Sequence, residues 1–226
     1  MVSQMQETQS LTGKLVSPTI ELDQQMRRTL VSSSRQMDWN GILVEQYQYS
    51  PNPLNPNELD RPATSDHWFN LPLVNPVTLS QKRDARLHES ILQKGDSTFI
   101  PAGEPSYWLC KGSDTYRPML NIHLKPESIR QVVEAAEIYL DRLDLVRCFG
   151  QQDLQLHQVA MLLLAELQSG GMMGRLYVES LTQVLVIHLL RHYSTFTRTI
   201  TSQNRSLTRV QLQEAIEYIH TNLDRD

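Results

Sequence analysis

Proline is absent from the last hundred residues. All eleven prolines of this 226-residue chain stand at or before Pro126. Proline is tolerated in turns and at strand ends but breaks helix interiors. Its disappearance marks a boundary near residue 126, with a strand-rich first part and a helical second part. Cysteine is almost as scarce: Cys110 and Cys148 are the only two, which excludes a disulfide framework and suits a reducing compartment. No stretch approaches the roughly 20 apolar residues of a spanning helix; the most apolar, VLVIHLL at 184–190, is short and interrupted by His188. Residues 1–30 are polar and lack an apolar run before a small-residue cleavage site, so no secretory signal is read. A cytoplasmic location with no membrane partner is expected. A basic surplus is missing too. The net charge is −4, and residues 127–226 hold nine arginines, no lysine and twelve acidic residues. Binding to a duplex needs a basic footprint, so no direct nucleic-acid contact by these residues is expected.

The patterns of catalytic sites are also lacking. There is no His-x-His pair, no Ser/His/Asp order and no phosphate-cradling glycine loop. His88 and Glu89 are adjacent, and on a strand they point to opposite faces. His188 and His192 share a helix face at i, i+4, but Leu189 stands where a His-Glu-x-x-His helix carries its glutamate. Two ligands leave a zinc site incomplete. The expectation is no metal, no cofactor and no enzymatic activity, with both cysteines as structural thiols.

What is present falls into two styles. Residues 1–38 carry little pattern. GILVEQYQY (41–49) alternates like a half-buried strand, and SPNPLNPNELDRPATSD (50–66), with four prolines, reads as a loop. Short strand candidates follow: HWFNLPLV, VTLSQKR, RLHESILQ, STFIP, SYWLC and RPMLNIHL. After them, PESIRQVVEAAEIYLDRL, DLQLHQVAMLLLAELQ and GRLYVESLTQVLVIHLLRHYS repeat apolar residues at helical spacing. Asp153 is placed to cap the second of these and Gly170–Gly171 to stop it. A last capped helix opens with the box Thr208-x-x-Gln211.

The run Gly95-x5-Pro101-x-Gly103 resembles the second signature of the cupin fold, whose glycine and proline close the ends of one strand of a small β-barrel. In metal-binding cupins a histidine stands where this chain has Ser106, so the resemblance implies the barrel without its metal. Trp68, Phe99, Tyr107 and Trp108, with His88 and Arg117, are then candidates to line an effector pocket. The competing reading makes the aromatics an ordinary core, and alternation allows only one of each adjacent pair, Trp68/Phe69 and Tyr107/Trp108, to face inward.

The helical part, through GRLYVESL and HLLRHYS, resembles the linker and dimerisation region of the AraC/XylS family of bacterial transcription regulators, and residues 208–223 resemble the first helix of that family's DNA-binding domain. The resemblance covers residues 39–226. It implies an α+β chain: an extension (1–38), a cupin-like antiparallel β-barrel sensor (39–126), a helical linker and dimerisation region (127–204), and the start of a reader domain (205–226) that stops before its helix-turn-helix units. It further implies a small-molecule effector, a homodimer, and DNA contact only through the missing reader. Apolar residues Leu176, Val178, Leu181, Leu185 and Leu190, with His188, are the candidate dimer surface. Two rivals stand beside this expectation: a metal-dependent cupin enzyme, and an interaction module that inhibits full-length regulators.

Overall fold

The strand bracketed by glycine and proline organises the fold. The computed structural model describes residues 28–50, 57–74, 76–83, 86–110, 116–136 and 144–195. Gly95 (φ +101°) and Gly103 (φ +82°) adopt the left-handed backbone that other residues resist, and β7 (Asp96–Ile100) runs between them. Beyond Pro101 the turn is tied down twice: Gly103 N–H donates to the Thr64 carbonyl at 2.9 Å, and Ala102 N–H donates to His67 Nδ1 at 2.9 Å. Both ends of β7 are therefore held, and its register with β4 (His67–Pro72) sets Phe99 opposite Phe69 and Thr98 opposite Asn70.

Among the described residues, ten strands form two antiparallel sheets. The six-stranded sheet has the order β1-β2-β9-β4-β7-β10, with β1 (Arg28–Ser33), β2 (Ile42–Tyr49), β9 (Arg117–Leu124) and β10 (Cys148–Gln152). The four-stranded sheet has the order β3-β8-β5-β6, with β3 (Asn57–Arg61), β5 (Val77–Arg83), β6 (Arg86–Leu92) and β8 (Ser106–Cys110). The described residues also hold three α-helices: α1 (Pro126–Ala135), α2 (Leu154–Gln168) and α3 (Gly174–His192), with β10 between α1 and α2. The chain is α+β, but the expected barrel is wrong, because neither sheet closes. The nearest approach of their edges is at β10 and β6. A Cβ added at Gly150 would lie 2.7 Å from Ser90 Oγ. Yet β10 pairs with β7, and among the described residues no ladder joins it to β6.

Other local expectations shift as well. The stretch read as one long loop contains β3, which lies between Pro56 and Pro62 and pairs with β8. Arg28–Ser33 is an edge strand on β2, and Cys148–Gln152 returns a strand from the helical part to the sheet. The helix expected over 126–143 runs over Pro126–Ala135, with Pro126 in its first turn; residues 137–143, like 1–27 and the capped helix at 208–223, lie outside the described residues.

Asp153 caps α2 as its position predicts: Oδ1 accepts the Leu156 N–H at 2.9 Å. Its other oxygen reaches α3 and the residue after it, accepting from Tyr193 OH at 2.7 Å and meeting His188 Nε2 at 2.6 Å. One carboxylate thus starts one helix and fastens the end of the next. Burial pushes its pKa up, but His188, the Leu156 N–H and the Tyr193 hydroxyl outweigh that and hold it below the ordinary value.

Helices and six-stranded sheet share one core. Ile42, Val44, Phe69, Leu71, Phe99, Leu120, Ile122 and Leu124 meet Leu156, Ala160, Leu163, Leu185 and Leu189 there. Phe99 stacks on Phe69 with ring centroids 4.6 Å apart and meets the edge of Tyr193 at 5.9 Å. Cys148 is buried in the same core, and burial pushes its thiol up to about 11, which keeps it protonated and inert.

Candidate ligand site between the two sheets

The six-stranded sheet is covered on both sides. All six residues of β4 and all but Pro118 on β9 are buried. Alternation therefore sorts side chains between two interiors, not between core and solvent. On β9, Leu120, Ile122 and Leu124 face the helices. Arg117, Met119, Asn121 and His123 are the alternate set, facing the four-stranded sheet. Register extends this set to Tyr49 (opposite Arg117), Tyr47 (opposite Met119), Glu45 (opposite Asn121) and Trp68 (opposite His123). The Trp68–Trp108 contact, edge-on at 5.9 Å, fixes which face of β8 looks back. Gln81 lies opposite Trp108 and Arg61 opposite Ser106, so both belong to that inner face.

This second interior is polar. Among the described residues, Arg61 Nη1, both amide atoms of Gln81, Thr98 Oγ1, Arg117 Nε, Asn121 Nδ2 and His123 Nδ1 are buried without a hydrogen-bond partner. Each unpaired buried donor or acceptor costs about 1–3 kcal/mol if nothing meets it. Seven such atoms represent a penalty on the scale of a whole domain's stability, roughly 5–15 kcal/mol. Buried polar groups of this kind are met by water or by a ligand.

Two neighbours show the contrast between satisfied and unsatisfied groups. Glu45 is 1% exposed, and its oxygens accept from Ser33 Oγ (2.9 Å), Arg35 Nε (2.8 Å) and Tyr47 OH (2.9 Å). Its charge is compensated by Arg35. Arg61 is 3% exposed, its guanidinium 4.3 Å from the Trp68 ring centroid, and its one hydrogen bond is a long 3.4 Å contact to Thr64 Oγ1. No carboxylate comes within ion-pair distance of it among the described residues. Burial, with Arg28 nearby, pulls its pKa down to about 10. His123 is held well below the ordinary histidine value by burial and then by Arg61, Arg28 and Arg35. It is a neutral imidazole among cations.

Of the six residues named from sequence as a ligand pocket, three share this interior: Trp68, Trp108 and Arg117. Phe99 is in the helix-side core. Tyr107 is half-buried on the alternate face of β8, and His88 is exposed on the edge strand β6. Trp68 and Phe69 are both buried but on opposite faces, so only Trp68 turns into this interior, as alternation requires, while Phe69 enters the helix-side core. Sequence reading missed Arg61, Gln81, Thr98, Asn121 and His123. For Asn121 and His123 the signal is a polar residue at alternate positions of a strand later found at the middle of a sheet; Arg61, on the edge strand β3, carries no such signal. Among the residues named for dimerisation, Val178, Leu181, Leu185 and Leu190 are buried in this chain's own core, and His188 is bonded to Asp153. Leu176 is 77% exposed, near Met172 and Met173 in the turn before α3, with Val184 and Ile187 also exposed further along the helix.

No protein-family model matches the chain, and neither does any curated protein. Solved structures with similarity include a cupin domain from Bordetella pertussis Tohama I, 21% identical over 43% of this chain and 91% of that one, with a TM-score of 0.31. Hazelnut (Corylus avellana) vicilin is 12% identical over 44% of this chain and 31% of its own, at 0.31. An oxalate decarboxylase variant from Bacillus subtilis is 11% identical over 44% and 25%, at 0.33. The chain thus matches only about a third of the vicilin and a quarter of the decarboxylase. Likeness of this degree assigns neither family nor activity.

Proposed function

We propose that this chain is the effector-sensing and dimerisation part of a bacterial transcription regulator of AraC/XylS type. The β domain receives a small molecule between its sheets, and α2 and α3 carry the response to a second subunit. Base reading falls to helix-turn-helix units of the parent protein. One observation carries the sensing role: seven unpaired buried polar atoms, drawn from both sheets, face one interior. The regulatory role rests on the sequence resemblance of the helical part. The exposed apolar residues Met172, Met173, Leu176, Val184 and Ile187 suit the dimer contact. Ligand can switch such a protein only by binding one arrangement of its parts better than another.

The enzyme alternative needs three or four convergent metal ligands. Among the described residues, no group of three or more His, Cys, Asp or Glu side chains is placed to hold an ion. Among the described residues no helix is long and apolar enough to cross a membrane.

A thermal-shift screen of metabolites tests the sensing role. A ligand at about a hundred times its dissociation constant adds about 2.7 kcal/mol, or about 5–10 °C in a chain of this size. Sedimentation with and without the hit tests the dimer. A chain that stays monomeric at about 100 µM, where a dimer of about 1 µM Kd would be nearly fully formed, and responds to no compound sinks the proposal.

A further inference from the structure

We infer that the interior between the sheets takes a small organic anion, its carboxylate held by Arg61 and its uncharged part lying against Trp68 and Trp108. The inference rests on the sensing role proposed above and specifies the chemistry of what is sensed.

The charge balance of the inner face points this way. Its one fully buried acid, Glu45, already has three donors, Arg35 among them. Arg61 and Arg117 are 3% and 7% exposed, and each keeps a guanidinium nitrogen without a partner. A buried cation is stable only when paired. An anionic oxygen offers a charge-assisted hydrogen bond of about 1.5–3 kcal/mol, whereas a neutral hydroxyl or carbonyl offers the lesser value of an ordinary bond.

The uncharged groups agree with that sign. Asn121 Oδ1 accepts from Asn70 Nδ2 at 2.6 Å, which leaves the Asn121 amide N–H group directed to a further acceptor. A neutral His123 donates one hydrogen bond from Nδ1 when its proton sits there. Donors therefore outnumber acceptors around the space, as an oxygen-rich anion requires. Trp68, Trp108 and Ile100, with half-buried Phe149, form an apolar wall beside Arg61. A cation next to an aromatic wall fits a carboxylate on an apolar body better than inorganic phosphate, which has no apolar part to bury.

The test uses the whole chain and two probes of similar size, trifluoroacetate and trifluoroethanol, followed by fluorine NMR. Trifluoroacetate is expected to show saturable line broadening with wild-type protein, and trifluoroethanol none. Arg61→Gln should weaken trifluoroacetate binding at least tenfold, and Arg61→Lys should weaken it less than Arg61→Gln. Arg130→Gln, on the exposed surface of α1, should leave it unchanged. Circular dichroism checks that each variant is folded; where one is not, Asn121→Leu, which removes an inner-face donor, takes its place with the same expected loss. Absence of saturable trifluoroacetate binding to folded wild type overturns the anion assignment, and so does binding indifferent to every inner-face substitution. Neutral metabolites that raise the melting temperature while trifluoroacetate fails leave sensing intact and remove only the anion. Trifluoroacetate binding that obeys the substitutions, in a chain that stays monomeric, keeps the anion site and removes the regulator.

Discussion

The two faces of the six-stranded sheet are buried to similar depth and built to opposite rules. Phe99 and Thr98 are neighbours on β7, both 0% exposed. Phe99 is stacked between Phe69 and Tyr193 in a core where apolar side chains meet helices. Thr98 looks the other way, and its hydroxyl has no partner. The helix-side face stabilises the fold by removing apolar surface from water, about 25 cal/mol per Å². The inner face sacrifices stability by enclosing polar groups that the protein itself does not satisfy. Burial alone therefore does not identify a core; what the buried atoms are bonded to decides it.

The sharpest way to break this contrast is to substitute the two neighbours. Phe99→Ala should destabilise by about 4 kcal/mol, the usual cost of emptying a large aromatic site. Thr98→Val keeps the shape and removes an unpaired hydroxyl, so it should be neutral or stabilising by up to about 1 kcal/mol. Urea unfolding of both variants measures the difference. If Thr98→Val costs more than about 2 kcal/mol, the hydroxyl belongs to a set network and the inner face is a second core.

Acid sharpens the comparison next, because each face carries one neutral histidine. His67 belongs to the helix-side set; its Nδ1 accepts the Ala102 N–H, and burial holds its pKa down to about 4. His123 is depressed further in kind, by burial and by three arginines. Both folded-state values lie below the unfolded 6.5, so between pH 6.5 and about 4 the unfolded chain binds more protons. Stability is complete above pH 6.5 and falls as the pH drops through that window. His67 alone accounts for about 3 kcal/mol of the loss. His67→Gln should flatten part of the pH dependence and His123→Asn a separate part. An unchanged profile in either variant means that histidine is not the buried neutral group described.

A smaller effect tests the helical layer that makes the first face dry. Asp153→Ala removes a helix cap worth about 1 kcal/mol and two further hydrogen bonds worth about 1 kcal/mol each, in all about 2–3 kcal/mol. Asp153→Asn can still cap and should cost less. Equal losses in the two variants would make the charge, and not the cap, the important feature.

These contrasts also explain what the sequence revealed. Seven strands were legible: β2, β4, β5, β6, β7, β8 and β9 stand where short strand candidates are read, and so do α2, its Asp153 cap and α3. Three strands were not; β1, β3 and β10 are sheet edges, while the fourth edge, β6, was read. An edge strand has one ladder and a weaker burial requirement, so prolines can flank it, as at Pro56 and Pro62, and its pattern is faint. The barrel was over-read because turn chemistry at Gly95 and Pro101 fixes the ends of one strand but says nothing about whether β10 and β6 pair. The candidate site was only partly legible for a similar reason. RPMLNIHL spells a polar residue at alternate positions, which on a two-layer protein means solvent. Here the second sheet covers that side, and Asn121 and His123 become interior groups. Only three-dimensional layering converts one meaning into the other.

The smallest expected effect carries the most diagnostic sign. Arg117→Met replaces a 7% exposed guanidinium, with an unpaired Nε, by a flexible apolar side chain of similar length. If Arg117 served the fold, its loss would destabilise like any broken buried contact. If it serves a ligand, the empty protein carries the desolvation cost without return, and the substitution should raise stability by about 1 kcal/mol, or about 2–4 °C. Differential scanning calorimetry reads the shift. A variant that melts lower than wild type in the absence of ligand would place Arg117 among the groups that hold the sheets together, and the inner face would then have to be understood as a polar core whose partners are waters.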